Sequence, residues 1–145
     1  MHKCGSAPRN SKGFTLIELL VVIAIIGILA SVVIASVQQA QVKSRDARRM
    51  TDITGIQKAL SLYVTARYGT YPISVTTTTL TGSDAVSVAL QNAGAIDMVP
   101  ADPFPALFSY SYSTNAAGST YYLSFCLETD SIPNKSKGCG NTVSQ

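Results

Sequence analysis

The chain has 145 residues, of which 46% are hydrophobic and 13% are charged. This length suits one domain, and the hydrophobicity excludes a disordered chain, which requires low hydrophobicity and high net charge. The net charge of +3 equals the contribution of Lys3, Arg9 and Lys12, because residues 1–13 contain no acid and the remaining charges balance. The single histidine is His2, so composition excludes a histidine-based catalytic triad or zinc site in the rest of the chain.

Residues 14–37 form an apolar run of 24 residues in which Glu18 is the one charged residue. As a helix this run would measure about 36 Å at ~1.5 Å per residue. That length crosses a hydrocarbon core about 30 Å thick. A secretory signal peptide has a shorter apolar stretch with a cleavage site of small residues directly after it, and a buried soluble helix of this length is improbable. The run therefore predicts a transmembrane helix.

Residues 38–68 continue the helical pattern without a Pro or Gly cluster, but their composition is amphipathic. Apolar residues recur there at spacings of three and four, namely at Met50, Ile53, Ile56, Leu60 and Val64. We expect one helix from about residue 15 to 68, with Gly69 and Pro72 ending it. Its first half is apolar all round and its second half has one apolar face.

Residues 69–145 predict a small head that begins with loops and a short helix. Asp84–Ala93 reads as that helix, with Ser83 as its N-cap and Gly94 as its stop. Residues 99–105 are rich in proline and predict a turn region. The sequence leaves open whether Thr76–Thr79 is a loop or a poor strand.

Two later segments of the head alternate apolar and polar residues with a period of two, as strands with one buried face do. The apolar positions are Phe108, Tyr110 and Tyr112 in the first segment and Tyr121, Leu123, Phe125 and Leu127 in the second. Asn115–Gly118 would join them as a hairpin. Since the sheet needs a cover and the amphipathic helix needs a surface, we predict an α+β fold in which the second half of the long helix packs on a small antiparallel sheet.

The junction between the basic segment and the apolar run carries a recognisable motif. The residues Lys12-Gly13-Phe14-Thr15-Leu16-Ile17-Glu18-Leu19 resemble the processing site of type IV prepilins and type II secretion pseudopilins. The likeness extends through Leu20–Ala30 and the amphipathic half of the helix. Tyr71-Pro72, the Asp102-Pro103 turn and the Tyr-rich strands also look like that family, whereas residues 73–98 resemble it weakly.

The resemblance implies a sequence of maturation steps. Residues 1–13 would be a cytoplasmic leader, cut after Gly13 by a membrane prepilin peptidase that then methylates the new amine of Phe14. Mature subunits of this family pack their apolar helices into a filament core and display their heads outside. The implied partners are the peptidase, further copies of the chain, minor pilins, the inner-membrane assembly machinery and the membrane. The implied location is the bacterial cytoplasmic membrane, crossed once, and then an extracellular filament or a periplasmic pseudopilus.

Glu18 is the costliest residue in the apolar run, because comparable charges cost ~2.5–3.5 kcal/mol at a bilayer centre. An acid inside a membrane usually needs a partner. In the context of the processing motif, the new amine of Phe14 in the same or a neighbouring chain is the favoured partner, and Glu18 is then an assembly residue. The alternative is an acid tolerated near the interface, since Glu18 lies early in the run.

Leader removal would also change the cysteine count. Cys4 would leave with the leader, and Cys126 and Cys139 would remain in an exported head. Members of the family often close a C-terminal loop with such a pair, and closure of this loop would contribute about 3 kcal/mol. Two free thiols are the less favoured alternative outside the cytoplasm.

A basic cluster follows the apolar run at Lys43, Arg45, Arg48 and Arg49. Such a cluster could bind DNA or an anionic lipid surface. The interleaved acids Asp46 and Asp52 favour a solvated surface or an intersubunit salt-bridge region instead.

Some pseudopilins, the family that the processing motif resembles, bind calcium. Four head carboxylates, at Asp97, Asp102, Glu128 and Asp130, could supply oxygens, but no ligand-loop spacing is present and no metal or other cofactor is expected.

Three classes of function remain after these observations. The favoured class is the structural subunit of a type IV pilus-like filament, with a pseudopilin of a type II secretion or competence system as its variant. The second is a membrane-anchored binding module that never polymerises. The third, an anchored enzyme, is the weakest because the head has no histidine, no nucleophile–base pair and no Gly-rich phosphate loop.

Overall fold

The structure is a computed structural model that describes residues 13–66 and 69–145. Of the predicted leader, residues 1–12 lie outside the described residues. The elements are helix α1 (Leu16–Ala66), strand β1 (Thr78–Leu80), helix α2 (Ala85–Asn92) and strands β2 (Tyr110–Thr114), β3 (Tyr121–Leu127) and β4 (Gly138–Ser144). The predicted α+β architecture, a long N-terminal helix with a small antiparallel sheet, is confirmed.

The chain divides into two compact units, Met1–Gln38 and Gln39–Gln145. In the first unit, every described residue is solvent-exposed, and most of them are apolar. α1 is long and apolar enough to cross a membrane by length and composition. The structure therefore agrees with a helix whose first part is apolar on all sides.

In the second unit, the amphipathic part of α1 supplies one wall of the core. Ile53, Ile56 and Leu60 are fully buried. They share a single apolar cluster with inward-facing side chains of β2 and β3, namely Tyr110, Tyr112, Tyr121, Leu123 and Phe125. The predicted helical stripe and the predicted strand alternation therefore meet in one core, as helix-on-sheet packing requires.

The sheet has four antiparallel strands in the order β1-β2-β3-β4. β2 and β3 are the central pair, with Tyr112 opposite Leu123. The first residue of the predicted alternation, Phe108, lies before β2 and outside the sheet. The sequence left open whether Thr76–Thr79 is a loop or a strand. Its last two residues belong to β1, in which Thr78–Leu80 pairs with Tyr110–Tyr112.

The sequence predicted a C-terminal loop closed by cysteines, but this segment also contains strand β4, which was not predicted. Gly138–Ser144 pairs with β3, with Leu123 opposite Val143. Its sequence gives a poor strand signal because glycine and asparagine are depleted in strands. The segment is held by its pairing with β3 and not by its own propensity.

The short helix α2 is confirmed, but its predicted N-cap Ser83 is wrong. Asp84 occupies the N-cap position, and its carboxylate accepts hydrogen bonds from the Ser87 N–H at 2.9 Å and the Ser87 hydroxyl at 2.5 Å. It also accepts from the Thr81 N–H at 2.7 Å, so one carboxylate fixes both the helix end and the preceding turn. Gly94 ends the helix as predicted, with φ +66°.

Candidate processing and assembly site

The first turn of α1 is a reciprocal capping box formed by Thr15 and Glu18. The Glu18 carboxylate accepts hydrogen bonds from the N–H and the hydroxyl of Thr15, both at 2.8 Å. The Glu18 N–H donates to the Thr15 hydroxyl at 3.3 Å. Because α1 begins at Leu16, Thr15 is the N-cap and Glu18 the third helical residue, the spacing that a capping box requires.

The capping role of Glu18 did not emerge from the sequence, although the Thr15-x-x-Glu18 spacing could have revealed it. The hydrogen bonds satisfy backbone donors that would otherwise be unpaired at the start of an apolar helix. Glu18 thus has a partner within its own chain before any processing.

The structure leaves the predicted cleavage position open to approach. Gly13 and Phe14 precede α1 and are exposed, Phe14 at 86% of its surface. A Cβ built on Gly13 would meet no described atom within 4 Å. Packing among the described residues therefore does not require glycine at this position.

The basic cluster after the apolar run is only partly a solvated surface, which corrects the sequence-based interpretation. Arg49 is fully buried, and its guanidinium binds three carboxylates. It donates to both oxygens of Asp102 at 2.8 and 3.0 Å, to Asp46 at 2.8 Å and to Glu128 at 2.7 Å. We call Arg49, Asp46, Asp102 and Glu128 the ion cluster.

Arg45 extends the ion cluster by forming a bidentate pair with Glu128, at 2.8 and 2.5 Å. This pair is the largest influence that lowers the pKa of the Glu128 carboxyl, to about 2. Arg48 is 66% exposed and lies 4.0 Å from Asp52. The sequence could not separate the arginines because all three share one helix, and only the positions of Asp102 and Glu128 decide which are buried.

Asp46 ties the ion cluster to the end of β3. Its carboxylate accepts from the backbone N–H groups of Glu128 and Thr129 at 2.9 and 2.8 Å and from the Thr129 hydroxyl at 2.7 Å. Burial by itself would raise the pKa of Asp46, but these bonds and the one from Arg49 hold it below its usual range. The cluster thus connects α1, the Pro-rich segment and β3 through satisfied hydrogen bonds.

Two of the four carboxylates considered for calcium, those of Asp102 and Glu128, bind Arg49 instead. Asp97 and Asp130 are exposed. Among residues 13–66 and 69–145, no group of three or more His, Cys, Asp or Glu side chains is placed so that it could hold a metal ion.

The structure joins Cys126 of β3 and Cys139 of β4 in a disulfide. Cys126 is buried and Cys139 is exposed at the sheet edge. The bond therefore links neighbouring strands and closes the segment that carries Glu128 and Thr129.

Comparisons with known proteins agree on the N-terminal region. A family model described as the prokaryotic N-terminal methylation motif matches residues 8–34. The type II secretion system core protein G of Aeromonas hydrophila is 40% identical over 55 residues, which are 38% of this chain and 38% of that protein. The type IV wide pilus major component PilA4 of Thermus thermophilus is 60% identical over 38 residues, 26% of this chain and 29% of that protein.

One relative extends the likeness into the head. A fimbrial protein of Pseudomonas aeruginosa is 30% identical over 104 residues, which are 63% of this chain and 68% of that protein. The chain spans less than half of the length of the core protein G relatives that it matches. No solved structure matches the chain. With the methylation motif at its N-terminus and a fimbrial relative aligned over two thirds of that relative's length, the chain belongs to the family of type IV pilins and type II secretion pseudopilins.

Proposed function

We propose that this chain is the structural, non-enzymatic subunit of a type IV pilus-like filament, cleaved after Gly13, N-methylated at Phe14 and polymerised through residues 14–37. The observation that carries the proposal is a continuous, solvent-exposed apolar helix segment that starts, through the Thr15–Glu18 capping box, directly after the exposed residues Gly13 and Phe14. A helix of this kind has to be covered by lipid before assembly and by other helices after it.

Processing is supported by the open space around Gly13, where a Cβ would meet no described atom within 4 Å. Packing therefore does not require glycine there, whereas a peptidase active site that admits an extended chain without a side chain would require it. The proposed partners are therefore the prepilin peptidase, further copies of this chain, minor pilins and the inner-membrane assembly machinery. The proposed location is the bacterial inner membrane, spanned once, and then the filament.

The processing proposal is tested by the intact mass of the protein purified from membranes. We expect a chain that begins at Phe14 and carries one added methyl group. Gly13→Leu should leave the full-length chain in the membrane, because a bulky residue would occupy the cleavage position. Gly27→Leu is the matched control, since Gly27 also lies in open space, and it should be cleaved normally. A mature chain starting at another residue would refute this part of the proposal.

The filament proposal is tested by imaging filaments sheared from cells and identifying their subunit by mass. We expect this chain in the filaments and none in a deletion strain. A protein that remains uncleaved and monomeric in detergent would instead support an anchored binding module.

A second candidate function is a pseudopilin of a type II secretion or competence system. It is favoured by the alignments of 55–59 residues with several proteins named type II secretion system core protein G. The two functions differ in phenotype. Deletion of a secretion pseudopilin would block export of secreted enzymes without removing surface filaments, whereas deletion of a pilin would do the reverse.

A further inference from the structure

A groove of about 610 Å³ runs along the outer face of α1 in the second unit. α1 contributes Lys58 and Leu62 to it, and the start of β3 and the last residue of the chain close it with Tyr121 and Gln145. Lys58 is exposed, and Leu62 is 56% exposed.

Apart from Gln145, the other polar side chains that line this groove are already hydrogen-bonded within the chain. The hydroxyls of Thr54, Ser61 and Thr65 each donate to the carbonyl four residues earlier in α1, at 2.8–3.0 Å. Gln57 donates to the Tyr121 hydroxyl at 3.3 Å. The groove therefore offers a partner the ammonium group of Lys58, the side-chain amide of Gln145 and one large apolar side chain, from Leu62. Its complement is an acidic residue next to an apolar one.

The same unit presents such a pair at Asp97 and Met98. Both are exposed, Met98 at 74%, which is the largest value among the described large hydrophobic residues of the second unit. The flanking residues are held in the head: Ile96 packs against the core and Val99 is buried. Asp97 forms no ion pair with any described residue, and neither does Lys58. The pair is thus a short projection, fixed at both ends and charged opposite to the groove.

We propose that Asp97–Met98 of one copy of the chain docks into the Lys58–Leu62 groove of a neighbouring copy, with Asp97 paired to Lys58 and Met98 packed on Leu62. This inference rests on the proposed function, because it is a contact between subunits of the filament. The two surfaces are made of different residues, so the contact is heterologous, and repeated heterologous contacts that do not close a ring generate an open helical filament.

Charge complementarity is the reason for assigning Asp97–Met98 of a neighbouring copy to this groove. An exposed ion pair stabilises a contact only modestly, but reversal of one partner replaces attraction by repulsion in every repeat of the filament. Filament assembly should therefore be sensitive to reversal of the charge on either residue alone. It should be much less sensitive to reversal of both charges together.

The test is a charge swap in the full-length chain expressed in its own host. Asp97→Lys and Lys58→Glu should each lower the yield of sheared filaments about tenfold or more. The double variant Asp97→Lys with Lys58→Glu should restore at least about half of the wild-type yield, because the pair is rebuilt with reversed signs. Lys137→Glu, at an exposed lysine of the same unit that lies outside the groove, is the matched control and should be tolerated.

A second measurement keeps the contact testable where a charge variant fails to accumulate. With Met98→Cys and Leu62→Cys in one chain, oxidised filaments should give a ladder of cross-linked subunits on non-reducing gels, and each single variant should give none. No ladder, or single reversals that leave filament yield unchanged, or a double reversal without recovery, would overturn the docking proposal. Wild-type cells without filaments of this chain would instead contradict the proposed function itself.

Discussion

Glu18 combines a role that the structure displays with a role that the family implies. Its carboxylate caps α1 through Thr15, and we propose that it also pairs with the amine of Phe14 during assembly. One acid does not outweigh the hydrophobicity of the run, so neither role is needed for insertion into the membrane.

Two substitutions separate these roles. Glu18→Ala removes both the cap and the charge, whereas Glu18→Gln keeps an oxygen that can cap Thr15 but loses the charge. We expect both variants to reach normal membrane levels and normal cleavage but to form few or no filaments. The physical reason is a Phe14 amine left without its counter-charge, a loss of several kcal/mol. If the Glu18→Gln variant formed a normal number of filaments, the charge would not be needed for assembly, and the role of Glu18 would be capping alone.

Arg49 should be the most sensitive residue of the head. Arg49→Met would leave Asp46 and Asp102 buried without a cation and lower the free energy of unfolding by about 3–5 kcal/mol. The free energy of unfolding of Arg49→Lys should fall between those of the wild type and Arg49→Met, because lysine keeps the charge but cannot bind Asp102 through two parallel hydrogen bonds. Arg48→Met is the matched control and should change stability by less than about 1 kcal/mol.

These stabilities can be measured on the full-length protein in detergent by the near-ultraviolet circular dichroism of tyrosine. All seven tyrosines fall between Tyr63 and Tyr122, and the chain has no tryptophan, so the signal reports the second unit alone. Equal unfolding midpoints for Arg49→Met and Arg48→Met would contradict the role assigned to Arg49.

The disulfide between Cys126 and Cys139 is tested on protein taken from the cell surface. Peptide mapping without reductant should recover the two cysteines in one linked peptide pair. A strand–strand link of this kind lowers the entropy of the unfolded chain, so its reduction should lower the unfolding midpoint. Two alkylatable thiols in the untreated protein would disprove the bond.

At the scale of elements, the hairpin between β2 and β3 depends on Gly118. Its φ is +65°, and its carbonyl accepts a hydrogen bond from the Tyr71 N–H at 2.8 Å. A Cβ there would lie 3.1 Å from the Tyr71 carbonyl oxygen and 3.3 Å from the Thr70 Cβ. This hydrogen bond holds Tyr71, in the segment that follows α1, close to the turn between β2 and β3.

Gly118→Ala should therefore lower the unfolding free energy by about 1–3 kcal/mol, from the left-handed backbone and the close contact together. Gly55→Ala in α1 is the matched control, because a methyl group added there would meet no atom within 4 Å and alanine favours a helix by up to about 1 kcal/mol. The two variants should shift the unfolding midpoint in opposite directions. A Gly118→Ala protein as stable as wild type would show that the hairpin can relax.

At the scale of the whole molecule, the ion cluster predicts acid sensitivity of the head. Hydrogen bonds from Arg45 are the main cause that lowers the pKa of Glu128 to about 2 from its usual 4.5. The pKa of Asp46 is also held below its usual value despite burial. Because the folded pKa values are depressed, the stability they contribute is complete above the unfolded pKa and is lost as pH falls through the folded one.

The unfolding midpoint of the head should therefore be steady near neutral pH and fall as pH drops from about 5 towards 2. Glu128→Gln removes one of the titrating groups, so this variant should be less stable at neutral pH and should decline less steeply in acid. An unfolding midpoint that rises over this range, or a Glu128→Gln decline as steep as that of the wild type, would contradict the assigned origin of the sensitivity.

The sequence by itself determined those features that depend on local pattern. A 24-residue apolar run fixed the exposed first part of α1, spacings of three and four placed Ile53, Ile56 and Leu60 on one face, and alternation placed Tyr112 and Leu123 inward. The processing motif likewise needs only adjacent residues. These signals are readable because helix and strand periods repeat over several residues whatever the rest of the chain does.

Only the tertiary structure decided the features that depend on residues far apart in the chain. Arg49 and Arg48 are neighbours of the same type, yet Arg49 is buried because Asp102 and Glu128 converge on it from two other segments. β4 exists because β3 offers it a partner, although Gly138–Ser144 has little strand propensity. The burial of a charge and the pairing of a weak strand are set by what packs against them, which no local pattern encodes.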